Sequence, residues 1–78
     1  MPTVLRTGRY RFFFYASDRA ESRHVHVEAG DAKAKFWLDP VRLHSSRGMG
    51  RRELSRVHRL VVDHQELLVR AWHEYFGC

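Results

Sequence analysis

The chain has 78 residues, of which 44% are hydrophobic and 13% aromatic, and this composition excludes a disordered chain. It predicts one domain over residues 1–78, near the lower size limit for a self-sufficient core, so association into a homo-oligomer is an alternative. The formal charge of +5 and the pI of about 10.1 favour nucleic acid or an acidic protein as the partner. The single cysteine, Cys78, excludes an intramolecular disulfide and a cysteine-based zinc site.

The first residues, Met1 to Arg6, contain no apolar run long enough for a signal peptide or a membrane span. The cytoplasm is therefore the expected location, and no membrane partner is expected. We likewise predict no cofactor.

Residues 3–43 are predicted to form strands, and residues 51–76 a helical segment. Thr3 to Leu5 predicts a short edge strand, and the aromatic run from Tyr10 to Tyr15 predicts the next one. Rings lie on both faces of that run, so we expect a central strand whose second face is partly covered. Residues 16–23 are polar and are expected to form a flexible connection.

The clearest local prediction is a β-hairpin over residues 24–38. Gly30-Asp31 suits its two-residue loop, because glycine tolerates the positive φ that a type II′ turn requires at its first central position. This loop pairs residue 29 with 32, and the register continues to 24 with 37. The alternation then places the apolar residues of both strands on one face and the polar residues on the other, which is expected to face outward. The polar face carries His24, His26, Glu28, Lys33, Lys35 and Trp37.

Beyond Asp39-Pro40 the sheet could continue briefly, and residues 44–50 are predicted to form a loop. After this loop the apolar period becomes that of a helix. Asp63-x-x-Glu66 has the form of a capping box, which favours two helices, about 51–62 and 64–76, over one kinked helix. The predicted fold class is therefore α+β, with a small antiparallel sheet of three to four strands followed by a helical segment packed on one face.

The positive charge is concentrated in residues 40–62, which hold six arginines against Glu53 alone and so account for the whole net charge of +5. Arg52, Arg56 and Arg59 are spaced i, i+4 and i+7 and share one face of the predicted helix. Arginine makes bidentate contacts with phosphate or carboxylate, so this face is a candidate surface for nucleic acid or a protein partner. The alternative is a solvated helix face with some ion pairs.

The spacing His24-x-His26-x-Glu28 places three potential metal ligands on one strand face. Two imidazoles at i and i+2 can bind Zn²⁺ if a further ligand comes from elsewhere in the chain. The simpler interpretation is a polar face with a cross-strand pair between Glu28 and Lys33. We favour that interpretation, so no metal is predicted.

The same face also has the groups of a phosphodiester-cleaving site. His24 and His26 could act as the catalytic base and acid. Lys33 and Lys35 could hold phosphate, and Trp37 offers a stacking surface for a base.

A family resemblance is carried by His24-Val25-His26-Val27, Gly30, Ala34-Lys35-Phe36-Trp37-Leu38-Asp39-Pro40-Val41, Gly48, Glu53-Leu54, Leu60-Val61, His64 and Trp72-His73-Glu74-Tyr75-Phe76. These segments resemble a family of small bacterial proteins catalogued as domain of unknown function 4160. Members of that family are described as components of toxin–antitoxin modules, often the toxin, and are encoded beside a second small protein. The resemblance therefore implies a cognate partner encoded nearby.

We expect the toxin component of a bacterial type II toxin–antitoxin module, acting through its basic surface on a nucleic-acid or protein target. The first alternative is a non-enzymatic regulator or antitoxin that binds RNA or DNA. The second alternative is an RNA-cleaving enzyme that uses the His24/His26 strand face.

Overall fold

A computed structural model describes residues 3–77 of the chain. Five strands precede two helices, and a short 3-10 helix, Ala16–Ala20, lies between the second and third strands. The fold is α+β, as predicted, with more strands than the expected three to four. The strands are β1 (Thr3–Thr7), β2 (Tyr10–Phe13), β3 (His24–Ala29), β4 (Ala32–Leu38) and β5 (Val41–Arg47), and the helices are α1 (Arg51–Asp63) and α2 (Gln65–Phe76).

The five strands form one antiparallel sheet in chain order. The hairpin of β3 and β4 has the predicted register, from Ala29 opposite Ala32 to His24 opposite Trp37. Gly30 has a φ of +60°, and every positive φ among the described residues belongs to a glycine, so Asp31 has a negative φ. This combination matches the predicted type II′ turn. The turn and the two-residue alternation therefore agree on one pairing, and the prediction is confirmed.

The fifth strand is longer than the sequence indicates. β5 runs from Val41 to Arg47, so the loop predicted over residues 44–50 is wrong in its first four residues. β5 is an edge strand whose side chains are exposed after Val41. Because neither face of the strand is fully buried, its sequence has no apolar alternation from which a strand can be predicted.

The connection between β2 and β3 is ordered by the 3-10 helix, so the expectation of a flexible segment is wrong. The backbone N–H of Asp18 donates to the carbonyl of Tyr15 at 3.0 Å, and the N–H of Tyr15 donates to Oδ2 of Asp18 at 2.8 Å. Asp18 is only 6% exposed. This reciprocal pair fixes the local turn, and the Asp18 carboxylate contacts His26 on the sheet face that the sequence predicts to face outward.

The two predicted helices are confirmed, with a break at His64, whose ψ of 17° lies outside the helical range. The proposed capping box is wrong in detail, because Asp63 ends α1 and His64 is the residue that precedes α2. Instead, Gln65 Nε2 donates to the carbonyl of Leu38 at 2.6 Å and fixes the start of α2 to the end of β4. No helix within residues 3–77 is long and apolar enough to cross a bilayer.

The hydrophobic core lies between one sheet face and the two helices. The sheet contributes fully or nearly fully buried side chains from its three central strands, and the helices contribute five buried side chains at helical spacing. Phe13 is also buried, on the opposite sheet face, so the predicted covering of the second face of β2 is confirmed. The core includes Phe12, Val25, Val27, Phe36, Leu38, Val57, Val61, Leu68 and Trp72.

Candidate functional site

His24 is completely buried, so the expectation that it faces outward is wrong. Its Nδ1 lies 2.7 Å from the carbonyl oxygen of Ser22. A carbonyl only accepts, so Nδ1 carries the proton and donates it. Trp72 and Trp37 pack around the ring, with centroid separations of 5.2 and 5.7 Å. The residue lies on the predicted sheet face, but the segment that precedes β3 covers that face.

The second ring nitrogen of His24 faces Asp18. Nε2 lies 3.1 Å from Oδ1 of Asp18, yet the orientation of the two groups does not meet hydrogen-bond geometry. Among the described residues, Nε2 of His24 is therefore a buried polar atom without a hydrogen-bond partner. Such atoms are rare in folded proteins, and each one calls for an explanation such as a catalytic role or a bound water or ion.

His26 is the next residue on the same face and is partly exposed. Its Nε2 donates to Oδ2 of Asp18 at 3.0 Å. Phe13 stacks on one side of the ring with a centroid separation of 5.5 Å. The ring of Tyr15 lies in an edge-to-face arrangement with it, with a centroid separation of 4.6 Å. Burial lowers the pKa of His26 and outweighs the opposing effect of the Asp18 carboxylate. The imidazole is therefore held in its neutral form near neutral pH.

Asp18, His24 and His26 form one compact group, which we call the Asp-His-His cluster. One ligand atom from each residue lies within 4.8 Å of the other two. The sequence pattern missed Asp18, because it lies in an irregular segment and only the tertiary fold brings it to the histidines. No spacing signal in the sequence distinguishes it from other exposed acidic residues.

Glu28, the predicted third ligand, does not join the cluster. Its Oε1 accepts a hydrogen bond from Arg11 Nη2 at 3.0 Å, and this contact lowers the pKa of Glu28. Lys33 is its cross-strand neighbour by register, as predicted. The acidic residue that serves the two histidines is therefore Asp18, whereas Glu28 forms an ion pair with β2.

The two predicted phosphate-binding lysines have different surroundings. Lys33 is exposed near the hairpin turn. Lys35 donates to Oε1 of Glu21 at 2.6 Å and lies over the ring of Trp37, 5.0 Å from its centroid. This contact with Lys35 lowers the pKa of Glu21. Lys35 is therefore engaged within the protein, and only Lys33 is presented to solvent.

Trp37 lines a surface cleft at the end of the sheet. Arg42 is the residue opposite Trp37 on β5. The rings of His44 and Trp37 are arranged edge-to-face with a centroid separation of 5.1 Å. Arg19 and Arg23 line the same cleft. Arg23 donates to Oδ2 of Asp39 at 2.7 Å. The cleft thus combines a half-buried indole with guanidinium groups.

The predicted arginine face is exposed along α1. We call Arg52, Arg56 and Arg59 the arginine stripe; all three are exposed, whereas Val57 and Val61 of the same helix face the core. Among residues 3–77 no ion pair involves any of these three guanidinium groups. Their charges are therefore available to a ligand.

α1 carries two acidic residues, Glu53 and Asp63. Glu53, which follows Arg52, already has partners. Its Oε2 accepts hydrogen bonds from Arg9 at 2.6 Å and from the Tyr10 hydroxyl at 2.9 Å. The charge of Glu53 is thus offset by a cation from outside the basic segment. The surface of α1 is more positive than its own sequence indicates.

The fold defines a class of small α+β proteins, with a five-stranded antiparallel meander covered on one face by two helices. Residues 10–73 match the family described as Domain of unknown function (DUF4160), and the chain belongs to that family. The match includes both the Asp-His-His cluster and the arginine stripe. No curated protein and no solved structure matches the chain.

Proposed function

We propose that the protein is the toxin component of a bacterial toxin–antitoxin module and acts in the cytoplasm by binding nucleic acid through the arginine stripe. The module and its cognate partner come from the family resemblance. Nucleic-acid binding is carried by one observation: the three arginines of the stripe are exposed, and within residues 3–77 none of them forms an ion pair.

The geometry of the stripe suits a phosphate backbone. Arg52 and Arg59 are seven residues apart, which corresponds to about 10 Å along a helix. Each guanidinium can form a bidentate contact with a phosphate, and each neutralised phosphate releases condensed counterions. Arg42 and the Trp37 indole lie in the cleft at the sheet end and add a cation and a stacking surface of the kind used for single strands.

Nucleic acid is favoured over an acidic protein target by the composition of the surface. A protein interface is built around a central cluster of apolar or aromatic anchors. The exposed large apolar side chains of the described chain are Leu43, Val62, Leu67 and Tyr75, and none of them lies between the arginines of the stripe. Nucleic-acid interfaces are more polar and more positive, which fits this face.

The burial of His24 argues against the alternative of RNA cleavage on the hairpin face. A general base must come within hydrogen-bond reach of the proton that it removes. His24 is 0% exposed, and a phosphodiester cannot reach it in this conformation. We therefore propose binding rather than cleavage as the activity.

The test compares Arg52→Gln/Arg56→Gln with a charge-matched control, Arg6→Gln/Arg70→Gln, in which two exposed arginines are removed elsewhere. Binding to an RNA strand and to duplex DNA is measured over a range of salt concentrations. We expect the stripe variant to lose affinity regardless of sequence and its salt slope to fall by about one unit per contact on duplex DNA. The control should keep both.

The same variants are then expressed with and without the neighbouring gene. We expect the parent and the control variant to arrest growth, and the neighbouring gene to relieve that arrest. The stripe variant should not arrest growth. If the stripe variant binds nucleic acid and arrests growth as the parent does, the arginine stripe is excluded as the nucleic-acid-binding surface. If only the arrest is lost while nucleic-acid binding is unchanged, the target is a protein.

A further inference from the structure

We propose that Asp18, His24 and His26 form a binding site for one divalent transition-metal ion of the Zn²⁺ class. The site lies beneath the 3-10 helix, on the sheet face that carries His24 and His26. It is separate from the arginine stripe and does not depend on the function proposed for that surface. A bound ion joins the segment before β3 to the sheet and so stabilises the fold.

The first argument is the orphaned nitrogen of His24. Because Nδ1 of this ring donates to the Ser22 carbonyl, Nε2 of the neutral ring carries a lone pair. That lone pair is completely buried and lies 3.1 Å from Oδ1 of Asp18, which is itself an acceptor. Two acceptors 3.1 Å apart repel each other unless something positive lies between or beside them. A metal ion shared by the two atoms resolves this conflict.

The second argument is distance. Ligand atoms at 2.0–2.2 Å from a tetrahedral Zn²⁺ are about 3.3–3.6 Å from one another. The two imidazole–carboxylate distances of the cluster are 3.1 and 3.0 Å, and all three ligand atoms fit within 4.8 Å. Small side-chain rotations therefore bring the three groups to coordination distance, and the His26 proton moves from Nε2 to Nδ1 so that Nε2 offers a lone pair to the ion.

The third argument is the set of groups behind the ligands. Histidines that bind metals usually donate their other N–H to a carbonyl or carboxylate, which fixes the tautomer. His24 does so through Nδ1 and Ser22. The carboxylate of Asp18 is oriented by the N–H of Tyr15 at 2.8 Å. Two of the three ligands are thus already held in the orientation that a metal requires.

The donor set also indicates which ion is bound. Two imidazoles and one carboxylate suit Zn²⁺ and its neighbours in the first transition series rather than Mg²⁺ or Ca²⁺, which prefer oxygen ligands. Three protein ligands leave one position for a water molecule on the side of His26, whose side chain is 18% exposed. Burial of the other two ligands keeps a polymer substrate out.

The experiment uses the full chain after dialysis against a chelator. Zn²⁺ is titrated by calorimetry, and Co²⁺ is added as a spectroscopic probe. We expect one ion per chain, a rise in the melting temperature with Zn²⁺, and the intense visible absorption of tetrahedral Co²⁺. Since loss of a supporting group already costs 10–100-fold in metal affinity, His26→Gln or Asp18→Asn should cost at least about 100-fold.

Two controls keep the result specific. His44→Gln removes an exposed histidine on β5, and Cys78→Ser removes the thiol; both variants should bind as the parent does. Near-ultraviolet circular dichroism establishes that each variant is folded before titration. A parent chain that takes up no Zn²⁺ and shows no Co²⁺ spectrum overturns the proposal, even if a ligand variant fails to fold. Binding that survives in folded His26→Gln and Asp18→Asn also overturns it, since the ion then sits elsewhere.

Discussion

The Asp-His-His cluster and the arginine stripe are both polar, yet the fold covers most of the cluster and leaves the stripe exposed to solvent. His24 and Asp18 are 0% and 6% exposed, whereas every arginine of the stripe is exposed. Periodicity places His24 and His26 on one face of β3 and the three arginines on one face of α1, and both placements are right. Whether that side remains open to solvent depends on a second segment, here the 3-10 helix that covers β3.

This difference separates two kinds of charged surface. The stripe presents unpaired cations to solvent, where each substitution should leave the fold intact and change only binding. The cluster packs its polar atoms among rings and neutral backbone, where each atom needs a partner. Stability measurements on the metal-free protein should therefore divide the two regions sharply.

The largest stability effect is expected for Asp18→Ala. The substitution removes the acceptor of the Tyr15 N–H and of His26 Nε2, and leaves two partly buried donors without this partner. We expect a loss of about 3 kcal/mol in the free energy of unfolding. Urea denaturation in the presence of chelator measures it. The matched change on the stripe, Arg52→Ala, should stay within about 0.5 kcal/mol, and equal losses would erase the distinction between the regions.

A smaller effect is expected for His24→Gln. If His24 faced outward, the substitution would lower the free energy of unfolding by no more than about 0.5 kcal/mol. Because the ring is buried, we expect a loss of about 2 kcal/mol, since its contacts with Ser22 and Trp72 are removed. His44→Gln on the exposed edge strand is the control. Thermal unfolding of the two variants side by side decides the matter, and a His24→Gln protein as stable as the control would mean that the covering segment is open in solution.

The parts of the fold that the sequence predicts are those decided by local rules. The register of β3 and β4 follows from the turn at Gly30 and from strand alternation, and every predicted pair is confirmed. The break between the helices is predicted at the correct place. Its capping chemistry is not, because Gln65 is anchored by the carbonyl of Leu38, a residue far away in the chain.

The parts that could not be predicted depend on distant contacts. Nothing near Asp18 marks it as a buried partner of β3, since its neighbours are polar and its helix is short. The length of β5 could not be predicted for a different reason, because a strand exposed on both faces has no apolar alternation in its sequence. The stripe and the two histidines of the cluster could thus be predicted from spacing, whereas Asp18 and the burial of the cluster required the fold.

The smallest predicted effect concerns Glu53, which lies beside the stripe and is held by Arg9 and Tyr10. A single charge about 10 Å from a bound phosphate contributes about 0.4 kcal/mol in water before screening, or about a factor of two in affinity. Glu53→Gln should therefore strengthen nucleic-acid binding about twofold at low salt. Arg9→Gln should weaken it by a similar factor, because the carboxylate loses the cation that offsets it.

Both changes should fade near physiological ionic strength, where the screening length is about 8 Å. Binding measured at two salt concentrations provides the check. Opposite shifts in the two variants that vanish with salt would establish that the surface acts through its charge, whereas shifts that persist at high salt would point to a direct contact with Glu53 or Arg9.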